Sequence, residues 1–213
     1  MEIAFAEPVD IDQGVWFSDD ELAAWPPLAE EKNMARLLGR IAVKKAAVRY
    51  FDQKGMSYLP TALIVRHDAL GAPLLYIGTM AREDVRISLS HESAGAVAAV
   101  DASDQPSFGV DIERIRFFDE HFLSDFLTPE ERHAISALPA IEQPYATTRL
   151  WSLKEAFLKA LGAGLREHPN SLMVRNISHG KYEIFQAGQL VGGGEELSVP
   201  MAGRIGVIVH LSL

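Results

Sequence analysis

Asp111 and Glu113 stand two residues apart in the segment Gly109-Val110-Asp111-Ile112-Glu113. On a strand, residues i and i+2 share a face, so both carboxylates point one way while Val110 and Ile112 point the other. Two carboxylates on one face repel, and burying them unpartnered is costly. A hard divalent cation answers both problems, because Mg²⁺ is held by one or two carboxylates, several waters and phosphate oxygens. Taken alone, the pentapeptide reads more plainly as a strand that ends in two solvated acids. A second segment, Trp151-Ser152-Leu153-Lys154-Glu155-Ala156-Phe157-Leu158-Lys159, puts Glu155 and Lys159 one helical turn apart on a shared face. Lys154 lies about 100° round from Glu155. The plain reading is a surface ion pair worth ~0.3–0.5 kcal/mol. The chemical reading is a third metal carboxylate beside two ammonium groups that contact phosphate.

Two further features could carry anion-binding chemistry, although taken alone the first reads more plainly as a histidine satisfied at a strand end and the second as a solvated charged face behind Glu30 and Glu31. Ser90-His91 follows a strand-like stretch, where an imidazole and a hydroxyl can both donate to a phosphate oxygen. Arg36, Arg40 and Lys44 recur every four residues, which sets them on one helical stripe, with Lys45 and Arg49 on the next. Ser178-His179-Gly180 reads as a hairpin turn and takes no role.

The elements that must position these residues alternate between helix and strand. Met34, Leu37, Leu38, Ile41 and Val48 predict a helix from Ala29 to about Tyr50. Strands are expected near 2–6, 61–66, 74–77, 85–89 and 108–112, with a short helix after Ser18 and a break at Trp25-Pro26-Pro27. For Val97 to Val100, periodicity leaves helix and strand open. Thr128-Pro129-Glu130-Glu131 carries a helix start: Thr128 caps, Pro129 takes the first position and Glu131 closes a capping box. A helix over about 142–161 buries Leu150, Leu153, Phe157 and Leu161 and stops at Gly162 and Gly164. Residues 170–213 read as strands joined by glycine turns. The class is α+β, divided near the loop-like Ser103 to Ser107 into halves 1–105 and 106–213 of similar layout.

Composition bounds the partners. The chain has 213 residues and 48% hydrophobic residues, enough to build a sizeable core. Lys and Arg number 20 against 29 Asp and Glu, a net charge of −9. Duplex nucleic acid or an anionic membrane is therefore not expected, and a polyanionic ligand needs a local basic cluster. There is no cysteine, so disulfides, thiolate metal sites and cysteine nucleophiles are excluded. No secretory signal is expected at Met1-Glu2-Ile3-Ala4-Phe5, and no apolar run approaches the ~20 residues of a membrane span.

In this order and spacing the motifs resemble those of the 4′-phosphopantetheinyl transferases, and of their larger, surfactin-type subfamily in particular. That family carries Gly-(Val/Ile)-Asp-x-Glu followed by Trp-x-x-Lys-Glu-(Ala/Ser)-x-x-Lys, matched here by Gly109 to Glu113 and Trp151 to Lys159. Its upstream Ser-His matches Ser90-His91, its Gly-x-Pro matches Gly71-Ala72-Pro73, and its basic helix is similar to Arg36-Leu37-Leu38-Gly39-Arg40. The resemblance covers residues 30–165. It departs at Ala72, where many members have lysine, and at Trp25-Pro26-Pro27, where some carry more basic residues.

The resemblance implies a pseudo-dimer of two similar α/β halves with coenzyme A between them. It implies transfer of the 4′-phosphopantetheine arm to a serine of an apo acyl carrier protein, or of a carrier domain of a polyketide or nonribosomal peptide synthase, releasing 3′,5′-adenosine bisphosphate. Asp111, Glu113 and Glu155 would hold Mg²⁺, with Mn²⁺ as an alternative. Lys154 and Lys159 would contact phosphate. Arg36, Arg40, Gly71, Pro73, Ser90 and His91 would bind coenzyme A. Glu155, Lys159 and Asp111 would serve the chemistry, with Glu155 as proton acceptor. A cytoplasmic monomer is expected. The alternatives are a catalytically inactive module of the same fold that binds coenzyme A or a carrier protein, and a Mg²⁺-dependent coenzyme A hydrolase.

Overall fold

The computed structural model describes residues 1–23, 31–69, 71–162 and 167–212. Trp25-Pro26-Pro27, the expected helix start at Ala29 and the second stop residue Gly164 lie outside them. The chain divides into two compact units, Met1–Gln105 and Pro106–Leu213.

The first unit contains β1 (Glu2–Ala6), α1 (Gln13–Trp16), α2 (Asp19–Ala23), α3 (Glu31–Gln53), β2 (Leu63–His67), β3 (Pro73–Ile77), β4 (Met80–Ala81), β5 (Val85–Glu92) and β6 (Gly95–Ala102). β1, β6 and β5 form one antiparallel sheet in that order, and β2, β3 and β4 a second. α3 packs on β1, β5 and β6 through Leu37, Leu38, Ile41 and Ala42, all wholly buried. The stretch from Val97 to Val100, left open by periodicity, is a strand. Each of its side chains is 0% exposed, so both faces are covered and the alternation that marks a half-buried strand is absent.

The second unit contains β7 (Phe108–Arg114), α4 (Glu120–Phe126), α5 (Pro129–Ser136), α6 (Gln143–Leu161), β8 (Leu172–Ser178), β9 (Lys181–Gln186), β10 (Gln189–Leu197) and β11 (Arg204–Leu211). Its sheet is antiparallel, in the order β7-β11-β10-β9-β8. α6 lies on β7 and β11 and buries Leu153, Ala156 and Phe157 against Ile184, Val207 and Val209. It ends where Gly162 adopts φ 66 in the left-handed region, which glycine enters without a Cβ penalty. Leu161, expected on the apolar face, is instead 43% exposed, because the helix has only its last turn left there.

The two units repeat one plan. In each, a long helix follows the first strand, the first strand pairs with the last, and the last pairs with the one before it. They also share a buried strut. In the first unit Ser18 and Glu21 exchange backbone-to-side-chain bonds at 3.3 Å. Lys44 donates from α3 to Glu21 at 2.7 Å and to the Trp16 carbonyl at 2.7 Å. In the second, Thr128 and Glu131 form the capping box. Lys154 donates from α6 to Glu131 at 2.6 Å and to the Phe126 carbonyl at 2.7 Å. Lysine and glutamate are 23 residues apart in both units, and lysine and carbonyl 28.

Both lysines are 0% exposed. Burial pulls each ammonium's pKa down, and the partner glutamate opposes that. A buried pair of this kind is strongly destabilising to break, since one charge is left uncompensated. Two expectations are corrected here. Lys44 is a strut rather than part of an open basic stripe, so the ladder shortens to Arg36 and Arg40. Lys154 is enclosed with two internal acceptors and is not presented to a phosphate.

Candidate functional site

In the second unit the chemistry gathers where α6 meets β7. Gly109 permits the approach. A Cβ built on it would stand 2.0 Å from the Ala156 carbonyl oxygen and 2.7 Å from the Ala160 nitrogen. Only a residue without a side chain allows the helix backbone so close. Two residues on, Asp111 is 2% exposed. It accepts a bond from Lys159 at 2.6 Å and one from the Ser152 hydroxyl at 2.7 Å. Lys159 also donates to the Val110 carbonyl at 3.3 Å. Glu113 accepts from the Trp151 indole at 2.9 Å.

Burial, and then the Asp111 charge, push the Glu113 carboxyl up from 4.5 to about 7. Glu155 is half-buried, and burial raises its pKa too; the Asp111 charge adds to this and Lys159 opposes it. Asp111 therefore acts electrostatically on both glutamates. Asp111 and Glu113 stand on β7 and Glu155 on α6, with Lys159 as the cation now on Asp111. Ser152 and Trp151 were not singled out from sequence as site residues. They lie inside the Trp-x-x-Lys-Glu segment, three and four residues before Glu155, where a helix returns to the same face.

Among the described residues no three metal-binding side chains stand ready-formed as an ion site. The donor set nevertheless fits a hard divalent cation. It consists of carboxylate oxygens, and burial first, with the Asp111 charge adding to it, lifts the pKa of both glutamates.

In the first unit the predicted residues border the middle of α3. Arg36 is exposed and Arg40 half-buried. Gly39 lies between them, and a Cβ there would come within 3.0 Å of the His91 ring. The His91 imidazole thus rests on α3 beside the two arginines, at the end of β5. Ser90, one residue earlier, is 8% exposed. Gly71 and Pro73 shape the β2–β3 turn. Gly71 takes φ 87, the Ala72 N–H bonds the Asp68 carboxylate at 2.8 Å, and Pro73 opens β3 directly opposite His67.

Comparison with known proteins comes to the same motifs. Residues 107–197 match the family model described as the 4′-phosphopantetheinyl transferase superfamily. A 4′-phosphopantetheinyl transferase of Bacillus pumilus, psf-1, is 36% identical over 88 residues, which is 41% of this chain and 36% of that protein. A 4′-phosphopantetheinyl transferase of Bacillus subtilis is 28% identical over 150 residues, 70% of this chain and 61% of that protein. The chain therefore spans less than two thirds of the length of these curated relatives. A holo-(acyl-carrier-protein) synthase from Bacillus anthracis, solved in complex with coenzyme A (3′,5′-ADP), matches with a TM-score of 0.42 and 21% identity, over 49% of this chain and 94% of that one. Residues 107–197, which carry both acidic motifs, are thus similar to the 4′-phosphopantetheinyl transferase superfamily.

Proposed function

We propose that the protein transfers the 4′-phosphopantetheine arm of coenzyme A to a serine of an apo carrier protein or carrier domain, as a monomer in the cytoplasm. The observation that carries this reading is the charge cluster of Asp111, Glu113, Glu155 and Lys159, set within residues similar to this superfamily. Asp111, Glu113 and Glu155 would hold Mg²⁺ or Mn²⁺ against the pyrophosphate. The ion, when bound, would polarise the attacked phosphorus and offset charge on the leaving group.

The chain's own residues do the rest. Lys159 moves from Asp111 to a phosphate oxygen as a point charge. Arg36, Arg40, Ser90 and His91 hold the nucleotide 3′-phosphate. Gly71 and Pro73 set the turn beside them. Glu155, whose affinity for a proton is raised, takes the proton from the carrier serine hydroxyl. The serine oxygen then bonds the β-phosphorus, the pyrophosphate bridge breaks, and 3′,5′-adenosine bisphosphate leaves. Lys154 has no part in these contacts.

The test is the intact mass of an apo acyl carrier protein after incubation with this protein, coenzyme A and Mg²⁺. A gain of one phosphopantetheine arm, abolished by chelator, supports the reading. No gain on carriers from fatty acid, polyketide and nonribosomal peptide synthesis, with coenzyme A still bound, would replace it by an inactive binding module. Release of free phosphopantetheine without carrier would replace it by a hydrolase.

The raised Glu113 carboxyl makes a second, independent prediction. Its folded pKa is about 7 against 4.5 unperturbed, so the folded state holds the proton more tightly than the unfolded state. The stability it contributes is full below 4.5 and lost as pH rises through 7. At about 1.4 kcal/mol per unit, discounted for a half-buried site, the loss is ~2 kcal/mol. In urea titrations the metal-free wild type should fall by that amount relative to Glu113→Gln across the interval, and Mg²⁺ should restore it. A difference that does not move with pH would remove the account of Glu113 as a carboxyl raised by burial and by the Asp111 charge.

A further inference from the structure

α6 meets β7 along a file of small residues. Ser152, Ala156 and Ala160 recur every four positions and all three are buried. A Cβ on Gly109 would strike the backbone of the last two. Such packing asks for a small side chain at 152, and alanine would serve it, as it does at 156 and 160. Alanine is also the better helix former. A hydroxyl inside a helix commonly turns back to the carbonyl four residues before it. Thr147, also on α6, does so, donating to the Gln143 carbonyl at 2.7 Å. The Ser152 hydroxyl instead leaves the helix and donates to Asp111 Oδ2 at 2.7 Å. Neither packing nor helix propensity accounts for that hydroxyl.

The two oxygens of Asp111 have unlike partners. Ser152 holds Oδ2 from a short side chain that is 0% exposed. Lys159 holds Oδ1 at 2.6 Å from a long side chain that is 29% exposed. The torsion that turns a carboxylate about its own axis is broad, so the Asp111 rotamer alone does not fix where each oxygen points. We propose that Ser152 is a positioning residue: its hydroxyl pins Oδ2, so that Oδ1 keeps its aim when Lys159 leaves for phosphate, and Asp111 offers that oxygen to the divalent cation. This rests on the transferase reading above. Removing the hydrogen-bond partner of a ligating carboxylate typically costs 10–100-fold in metal affinity, whereas the grip on coenzyme A without metal does not pass through Ser152.

The test is calorimetric titration of Mg²⁺ into the protein with coenzyme A present, beside titration of coenzyme A in chelator. Thermal melts establish that each variant is folded. Ser152→Ala should bind Mg²⁺ about 10–100-fold more weakly and bind coenzyme A in chelator as wild type does. Its transfer rate should recover with added Mg²⁺ and not with added coenzyme A. Ser152→Thr, which keeps the hydroxyl, should recover Mg²⁺ affinity. Thr147→Ala removes a buried hydroxyl from the same helix and should bind both ligands as wild type does. If Ser152→Ala binds Mg²⁺ like wild type, if it and Thr147→Ala lose Mg²⁺ affinity alike, or if folded Ser152→Thr stays as weak as alanine, the proposal is overturned and the transferase reading stands. If wild type binds coenzyme A but no Mg²⁺, the metal site and the proposal fall together.

Discussion

Asp111→Asn should lose transfer by about three orders of magnitude, the rate equivalent of the several kcal/mol that a metal-held charge supplies, while unfolding close to the wild-type temperature. The asparagine keeps the shape and can still accept from the Ser152 hydroxyl, which lies 2.7 Å from the native carboxylate. What disappears is the negative charge that faces Lys159 at 2.6 Å and that a bound cation would need. Asp111→Ala is a poorer experiment. Relief of like-charge repulsion predicts a well-folded alanine variant. The structure adds that Ser152 is 0% exposed, and a buried hydroxyl left without its acceptor costs about 1–3 kcal/mol. Alanine should therefore lose both activity and stability, and asparagine activity alone. Single-turnover mass spectrometry beside thermal melts separates the two. Near-normal transfer by Asp111→Asn would sink the metal assignment.

Much of the site was legible because its signals are local. The capping box at Thr128 and Glu131 needs four consecutive residues. The facing carboxylates of β7 need only the two-residue period of a strand, and α6 ends at the glycine that a left-handed cap requires. What was not legible depends on partners far along the chain. Lys154 and Glu155 are neighbours in a helix, and composition does not say which of two charged residues turns inward. The answer lies in Glu131, whose second oxygen also holds the Val174 N–H on β8 at 2.9 Å. The same ambiguity hid Lys44. Its spacing of four from Arg40 fits a solvated stripe, and only Glu21 reveals that it is a strut. Once one lysine is known to be buried, the shared 23-residue separation shows the repeat of the two units. The sequence contained that spacing, but no local pattern distinguished it from chance.

Gly109→Ala should be the most damaging glycine-to-alanine change among the described residues. The added carbon would lie 2.0 Å from the Ala156 carbonyl oxygen, 2.7 Å from the Ala160 nitrogen and 3.0 Å from the Ala156 carbonyl carbon. All three are backbone atoms of α6, so no rotamer change relieves the contact, and no truncation of a neighbouring side chain rescues it. The helix has to retreat from β7 by more than an ångström. Overpacking of a side chain against side chains costs about 1–3 kcal/mol; against backbone that cannot yield, the loss should reach at least ~3 kcal/mol. Gly194 offers the control within the same unit. Its nearest obstacle, at 2.7 Å, is the Leu153 Cδ2 atom, the far end of a flexible side chain, so Gly194→Ala should cost less. The retreat also acts on the chemistry. Ser152, Glu155 and Lys159 ride on α6, whereas Asp111 and Glu113 ride on β7, and the 2.6 Å contact from Lys159 to Asp111 spans the gap that widens. Any Gly109→Ala protein that folds at low temperature should therefore bind Mg²⁺ weakly and transfer slowly with its carboxylates intact. Denaturant melts and Mg²⁺ titrations check the two parts separately, and a variant with wild-type stability would show that the close approach of α6 to β7 does not exist.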